Sequence, residues 1–172
     1  MVIDFLRKLL IVIPVLLLQV LVLDRIHLFG YATPYLFIFL ILTSDVKTNP
    51  AERMLWAFAM GLVTDLFSST PGMHAASATL LAAIQPWLLG LFVSMDRREQ
   101  FVPGLESMNS RQYFLFLTVG TLVHHIVYFI LKTFSFQDWS VLILRIGAST
   151  LLTVVLMAVC EYVFRVKKRR RR

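Results

Sequence analysis

Four ionisable side chains lie within long apolar runs of this 172-residue sequence: Asp65, His124, His125 and Arg145. A charge at the centre of a membrane helix costs about 2.5 to 3.5 kcal/mol on insertion scales, so such residues turn toward other helices and find partners there. Helix directions place all four at similar depths, where they would form one polar layer. We expect Asp65 to form an ion pair with Arg145 within that layer.

The sequence leaves two roles open for this polar layer. It forms a binding site or partner-facing surface, or it only holds the helices together. Adjacent histidines can carry protons or bind metal, but successive helical residues point about 100° apart, so His124 and His125 cannot both face one ligand. We expect one of them to pack on a neighbouring helix, with Gly120 one turn away.

Catalytic signatures are absent from the sequence. No nucleophile stands beside a base, and no cysteine pair, metal-ligand motif or phosphate loop occurs. Ser68 lies close to Asp65, but a serine after a helix is better explained as a partner for the backbone. The sequence therefore predicts a protein that is not an enzyme and that has no metal or cofactor site.

The most distinctive stretch is residues 61–76, which close one apolar helix and open the next. Only residues 68–74, with the tight turn Pro71-Gly72, separate the two helices, so they are predicted to be antiparallel neighbours. Ala57 and Gly61, one turn apart, predict a close helix contact through small residues. We expect the third helix to pack on the fourth and on the sixth.

The composition indicates an integral membrane protein. Hydrophobic residues make up 58% of the chain and charged residues 16%, with a mean hydropathy of +0.76. A soluble helical protein would need polar helix faces that most of these runs lack. Six transmembrane helices are predicted in a single all-α domain, at about 5–23, 32–43, 50–68, 75–95, 113–131 and 141–164. The second is short for a span, and whether it crosses fully is left open.

Positive charge sets the predicted orientation. Fourteen Lys and Arg residues fall on the side of the termini and two on the other, which places both termini in the cytoplasm and the Pro71-Gly72 turn outside. The tail, residues 165–172, carries seven of them. Beside an apolar helix, such a tail is expected to contact anionic lipid and not nucleic acid.

Two local contacts are also predicted. Pro86 frees carbonyl groups near Leu81 and Ala82, and the Gln85 amide is expected to bind one of them. Glu161 is expected to pair with Arg165, four residues further along the same helix.

The central stretch resembles a known family signature. Gly61-Leu62-x-x-Asp65-x-x-Ser68, followed by Gly72-Met73-His74-Ala75, resembles the signature of the bacterial rod shape-determining membrane protein MreD. The short second span and the basic tail are also similar to that family. Pro86-Trp87-Leu88-Leu89 and the polar insert after it resemble MreD proteins of Bacteroidetes-like bacteria.

The resemblance implies a non-catalytic scaffold in the inner membrane, within the machinery that builds lateral peptidoglycan. Its implied partners are an MreC-like bitopic protein, a RodA-like glycosyltransferase with its transpeptidase, and indirectly the actin-like MreB. The family is also similar in fold to S components of energy-coupling-factor transporters, so a subunit that binds a small molecule or lipid is the alternative. The candidate structural, partner or ligand-binding residues are Gly61, Asp65, Ser68, Pro71, Gly72, His74, His124 and Arg145.

Overall fold

The computed structural model describes residues 2–26, 32–93, 102–133 and 138–169, without the side chains of residues 2–5, 7 and 164–169. Every element of regular secondary structure within these ranges is a helix, which confirms the predicted all-α class. The helices are α1 (Val2–Leu21), α2 (Phe37–Leu42), α3 (Pro50–Ser68), α4 (Met73–Gly90), α5 (Ser110–Lys132) and α6 (Trp139–Arg169), with a 3-10 turn at Leu23–Arg25. Arg165, the predicted partner of Glu161, and the rest of the basic tail at 165–172 have side chains outside the described set.

Helices α3 and α4 form the closest helix pair, as their short connection predicts. The Asn49 side chain accepts the Ala51 N–H and caps the start of α3, where Pro50 occupies the first turn. Ser69, with φ of 54°, ends α3 in the left-handed region, and Gly72, with φ of 77°, precedes α4. The end of the fold that carries this turn is called the hairpin end below.

Each long helix packs mainly on one or two neighbouring helices. α1 packs on α3, α4 packs on α5, and α5 packs on α6, while α2 contacts α1, α3, α4 and α5 from the middle. The prediction that α3 also packs closely on α6 is wrong. Because α4 and α5 stand between them in this order, α6 packs chiefly on α5.

The second helix is much shorter than the predicted span at 32–43. α2 has six residues, about 9 Å of helix, which is too short to cross a bilayer without the extended residues that precede it. Five of its residues are buried by the surrounding helices. Its apolar composition therefore reflects burial within the protein, which a hydropathy pattern does not distinguish from exposure to lipid.

Two described helices are long and apolar enough to cross a membrane: Ser110–Lys132 and residues 139–163 of α6. Their most apolar 18-residue windows have mean hydropathies of 2.0 and 2.2. Only 44% and 28% of those windows is buried within the protein, so much apolar surface remains on the outside.

Candidate functional site

Asp65 holds the start of α4. Its carboxylate is 3% exposed, and Oδ1 accepts the hydroxyl of Thr70 at 2.8 Å and the backbone N–H of His74 at 2.9 Å. Oδ2 accepts the backbone N–H of Ala75 at 2.9 Å. The N-cap residue Gly72 has no side chain to cap these groups, so Asp65 supplies the cap from the preceding helix. Its negative charge also suits the positive end of the α4 dipole.

The predicted ion pair between Asp65 and Arg145 is wrong. Both residues are described, yet no ion pair joins them, and the Asp65 carboxylate is occupied by its three donors. Arg145 lies on α6, which packs on α5 and not on α3. The Nε atom of Arg145 is buried without a hydrogen-bond partner.

Gly61 allows α3 to approach this cap. A β carbon at Gly61 would lie 2.6 Å from both the Ala75 Cα and the His74 carbonyl oxygen. Backbone atoms cannot move away cheaply, so this position requires glycine. The predicted close contact at Gly61 is therefore present, and its partner is the first turn of α4.

Ser68 connects the hairpin to the end of α1. Its hydroxyl donates to Asp24 Oδ2, while Asp24 Oδ1 accepts the Gln19 amide at 2.8 Å. Ser68 therefore has a side-chain partner, and it does not serve the backbone as predicted. Pro71 and Gly72 are exposed, and they shape the turn without contributing a side-chain hydrogen bond to the cap.

A cluster of buried rings lies beside the cap. His74, His124 and His125 are each 0% exposed. The His74 ring stacks on Tyr128 with centroids 4.0 Å apart and lies 6.0 Å from His124, and Tyr35 packs edge-on to His74 at 4.5 Å. The structure thus brings Asp65, His74 and the two α5 histidines to one end of the fold.

The two adjacent histidines have separate partners. His124 Nε2 lies 3.0 Å from the Ser77 hydroxyl, and His125 Nδ1 lies 2.8 Å from the Thr121 carbonyl of its own helix. Both are buried, whereas only one was expected to pack on a neighbour. Both ring nitrogens of His74 have no hydrogen-bond partner. Among the described residues, no three His, Cys, Asp or Glu side chains are placed to hold a metal ion.

Several members of this region were not predicted from the sequence, including Gln19, Asp24, Tyr35, Thr70 and Tyr128. Gln19 was the clearest available signal, because an amide within an apolar helix needs a partner. Its side chain is 0% exposed, donates to the Pro34 carbonyl at 3.0 Å and accepts the Leu36 N–H at 2.7 Å.

The extended segment before α2 is held by side chains of the flanking helices. Besides the Gln19 contacts, the Thr33 N–H donates to Ser149 Oγ and the Tyr35 N–H donates to Thr153 Oγ1, each at 3.2 Å. Ser149 and Thr153 lie one turn apart on α6. The side chains thus replace the hydrogen bonds that a helix would have supplied.

The proline in α4 is compensated by a different residue from the one predicted. Pro86 has no N–H for the Ala82 carbonyl, and Arg53 Nε donates to that oxygen at 3.0 Å. The Gln85 amide instead donates to the carbonyls of Leu42 and Ser44, each at 3.3 Å. Gln85 thereby fixes the end of α2, and Arg53 is 96% buried because its partner is inside the fold.

A cavity of about 480 Å³ lies at the end opposite the hairpin. Its walls are mostly apolar and come from α1, α2, α3, the segment at 102–104 and the later part of α6. The charged residues on its lining are Lys8, Asp45, Arg53 and Glu161. The cavity does not include any member of the Asp65 and histidine region.

No known family model, characterised protein or solved structure matches this chain.

Proposed function

We propose that this chain is a multi-pass inner-membrane protein that acts as a non-catalytic scaffold of the MreD type. The observation that carries the proposal is the use of the signature residues. Gly61 admits the backbone of α4, and Asp65 is fully engaged in capping that helix. Residues used in this way build a rigid helix hairpin, which is what a scaffold requires.

The segment before α2 supports membrane insertion. In hydrocarbon, non-helical backbone is tolerated only where its polar groups are bound within the protein. Here Gln19, Ser149 and Thr153 bind the backbone of residues 33–36. The N–H groups of Thr33, Tyr35 and Leu36 and the carbonyl of Pro34 are thus bound within the protein, as insertion into hydrocarbon requires.

The outer face of α3 supports contact with lipid or a partner helix. Large apolar side chains repeat along it at helical spacing, and between 40% and 74% of each is exposed. They are Leu55, Phe58, Leu62 and Leu66. In the proposal, such faces pack on an MreC-like bitopic protein and on the RodA-like glycosyltransferase with its transpeptidase, and the assembly links indirectly to MreB.

The alternative is a membrane subunit that binds a small molecule or lipid, as S components do. The 480 Å³ cavity favours it, although that cavity lies at the opposite end from the polar layer, for which the sequence left a binding role open. Three members of the polar layer, Asp65, His124 and His125, offer no open site, since each is at most 3% exposed.

Depletion of the protein from a rod-shaped host tests the scaffold role. We expect depleted cells to round up, and we expect an MreC-like protein to co-purify with the tagged chain. Re-expression of the parent protein should restore the length-to-width ratio of the cells. The Gly147→Ala variant should restore it equally, because a β carbon at that position meets no atom within 4 Å. Unchanged rod shape after verified depletion contradicts the proposal.

Labelling of single cysteines tests the orientation. In a Cys160→Ala background, the exposed positions Ser69 and Lys47 lie at opposite ends of α3. A membrane-impermeant maleimide added to intact spheroplasts should label Ser69→Cys and leave Lys47→Cys unmodified until the cells are opened. The reverse pattern contradicts cytoplasmic termini.

A further inference from the structure

Arg145 is an unpaired charge in a helix that is long and apolar enough to cross a membrane. It lies six residues past Trp139, the first residue of α6, which is about 9 Å along the helix axis. Its Nε atom is buried without a hydrogen-bond partner, whereas its two terminal nitrogens are not buried and bind no described residue. An arginine at such a depth is unfavourable unless it is bound, so its open end favours a counter-charge from another molecule.

The described carboxylates do not supply that counter-charge. Asp65 accepts three hydrogen bonds around the start of α4, and Asp24 accepts two side-chain donors. Asp138 is exposed about 10 Å along α6 from Arg145, and it forms no ion pair with it. Glu161 lies near the other end of α6, where it accepts the Tyr113 hydroxyl.

The residues at coiled-coil spacing from Arg145 are open along α6. A partner helix contacts positions that repeat at alternating steps of three and four residues. One such series starts at Arg145, and each of its members is half-buried or exposed. Helix α5 packs on a different side of α6, where Met157 is buried against Thr121. The series, called the α6 seam below, consists of Arg145, Ala148, Leu152, Val155, Val159 and Tyr162.

We propose that the α6 seam binds one transmembrane helix of another protein, and that an Asp or Glu in the outer half of that helix pairs with Arg145. Membrane helices associate through close packing combined with polar contacts of this kind. A single polar residue at a seam position also fixes the register of the two helices. The inference rests on the proposed scaffold role, and it adds the contact face and the charge that the partner carries.

Two other occupants fit the observations less well. A second copy of this chain, packed symmetrically along α6, would bring two Arg145 side chains together, and such like charges repel. The Asp24 and Asp65 carboxylates of that copy are already engaged. A lipid phosphate lies at the membrane surface, whereas burial of Nε keeps the Arg145 guanidinium close to its own helix.

Photocrosslinking in the host cell tests the α6 seam. The photoreactive residue p-benzoylphenylalanine replaces Val155 in the full-length protein, and mass spectrometry identifies the adduct. Ile143 is the control position, because it is 66% exposed on α6 and lies outside the seam. We expect Val155 to form an adduct with a protein that has an Asp or Glu in the outer half of a transmembrane helix. Ile143 should form no adduct with that protein.

Exchange of charges tests the ion pair. Arg145→Leu should lower the yield of the Val155 adduct by about fivefold or more, the size of one polar contact between membrane helices. Arg25→Leu, which removes an exposed arginine at the same end of the fold, should keep the yield. Arg145→Glu should lower the yield further, and replacement of the partner's acidic residue by Arg should then restore it. This restoration also shows that the Arg145→Glu protein is folded.

Several results would overturn the proposal. They are an adduct with a second copy of this chain, an adduct with a helix that lacks an acidic residue in its outer half, and equal adducts at Val155 and Ile143. The absence of any protein adduct at Val155, or failure of the charge exchange to restore it, would leave lipid as the counter-charge of Arg145.

The two proposals can fail separately. Cells that round up on depletion while Val155 forms no adduct would refute the α6 seam and leave the scaffold role intact. An adduct of the expected kind in depleted and re-expressing cells that stay rod-shaped throughout would refute the scaffold role and leave the α6 seam intact.

Discussion

The backbones of Gly61 and Ala75 are in direct contact, since a β carbon on Gly61 would lie 2.6 Å from the Ala75 Cα. This approach allows the Asp65 carboxylate, one turn further along α3, to reach two N–H groups in the first turn of α4. Close packing and helix capping are therefore one structural unit, and each depends on the other.

Gly61→Ala should destabilise the protein by about 1 to 3 kcal/mol, because the added methyl group meets backbone atoms that cannot repack. Gly147→Ala is the matched control on α6, where a β carbon meets nothing within 4 Å. Alanine has the better helix propensity, so the control should be neutral or slightly stabilising. Thermal unfolding in detergent, followed by circular dichroism, measures both; equal melting temperatures would contradict the close contact.

Asp65→Leu should lower the unfolding free energy by several kcal/mol, at about 1 to 3 kcal/mol for each buried donor left without a partner. Glu161→Gln should cost less, because only the Tyr113 hydroxyl loses a charged acceptor. A double-mutant cycle of Asp65→Asn with Arg145→Gln should give additive changes, since these residues are not paired. A coupling energy above about 1 kcal/mol would restore the ion pair that the sequence predicted.

Thr153→Val should destabilise the fold by about 1 to 3 kcal/mol, because the buried Tyr35 N–H loses its acceptor. Thr150→Val is its control one turn earlier on the same helix. Thr150 Oγ1 is buried without a partner, so its removal should be neutral or stabilising. Unfolding in a sodium dodecyl sulfate titration compares the two, and a larger loss for Thr150→Val would refute the role of α6 in holding the segment before α2.

Arg53→Met should be less damaging in a Pro86→Ala background. Alanine at position 86 supplies the N–H that the Ala82 carbonyl lacks, so Arg53 is no longer needed there. We expect a coupling energy between about 0.5 and 3 kcal/mol in a double-mutant unfolding cycle. Strict additivity would show that the contact with Ala82 does not contribute to stability.

His74→Phe should leave stability unchanged or raise it by about 1 kcal/mol, since it removes two ring nitrogens without partners and keeps an aromatic ring against Tyr128. His124→Phe should instead lower it by about 1 kcal/mol through loss of the Ser77 contact. Melting temperatures of the two variants in one detergent provide the comparison. A large loss for His74→Phe would point to an unrecognised polar partner of its ring.

The amino-acid sequence by itself determined the all-α class, the start and end of α3 and the α3–α4 hairpin. These features depend on local signals, such as Asn49-Pro50 at the start of α3 and the short turn with Pro71-Gly72. Helical spacing also placed Gly61 and Asp65 on one face. Local chemistry is sufficient for such predictions because it does not depend on which helices become neighbours.

Only the tertiary structure decided the partners. Depth along the helices made Arg145 a reasonable partner for Asp65, but the packing of α6 on α5 separates them. The Asp65 carboxylate instead accepts hydrogen bonds from N–H groups at the start of α4. Likewise, α2 has the composition of a membrane span and is instead a six-residue core helix. Hydropathy reports that a side chain avoids water, and it does not report whether protein or lipid surrounds it.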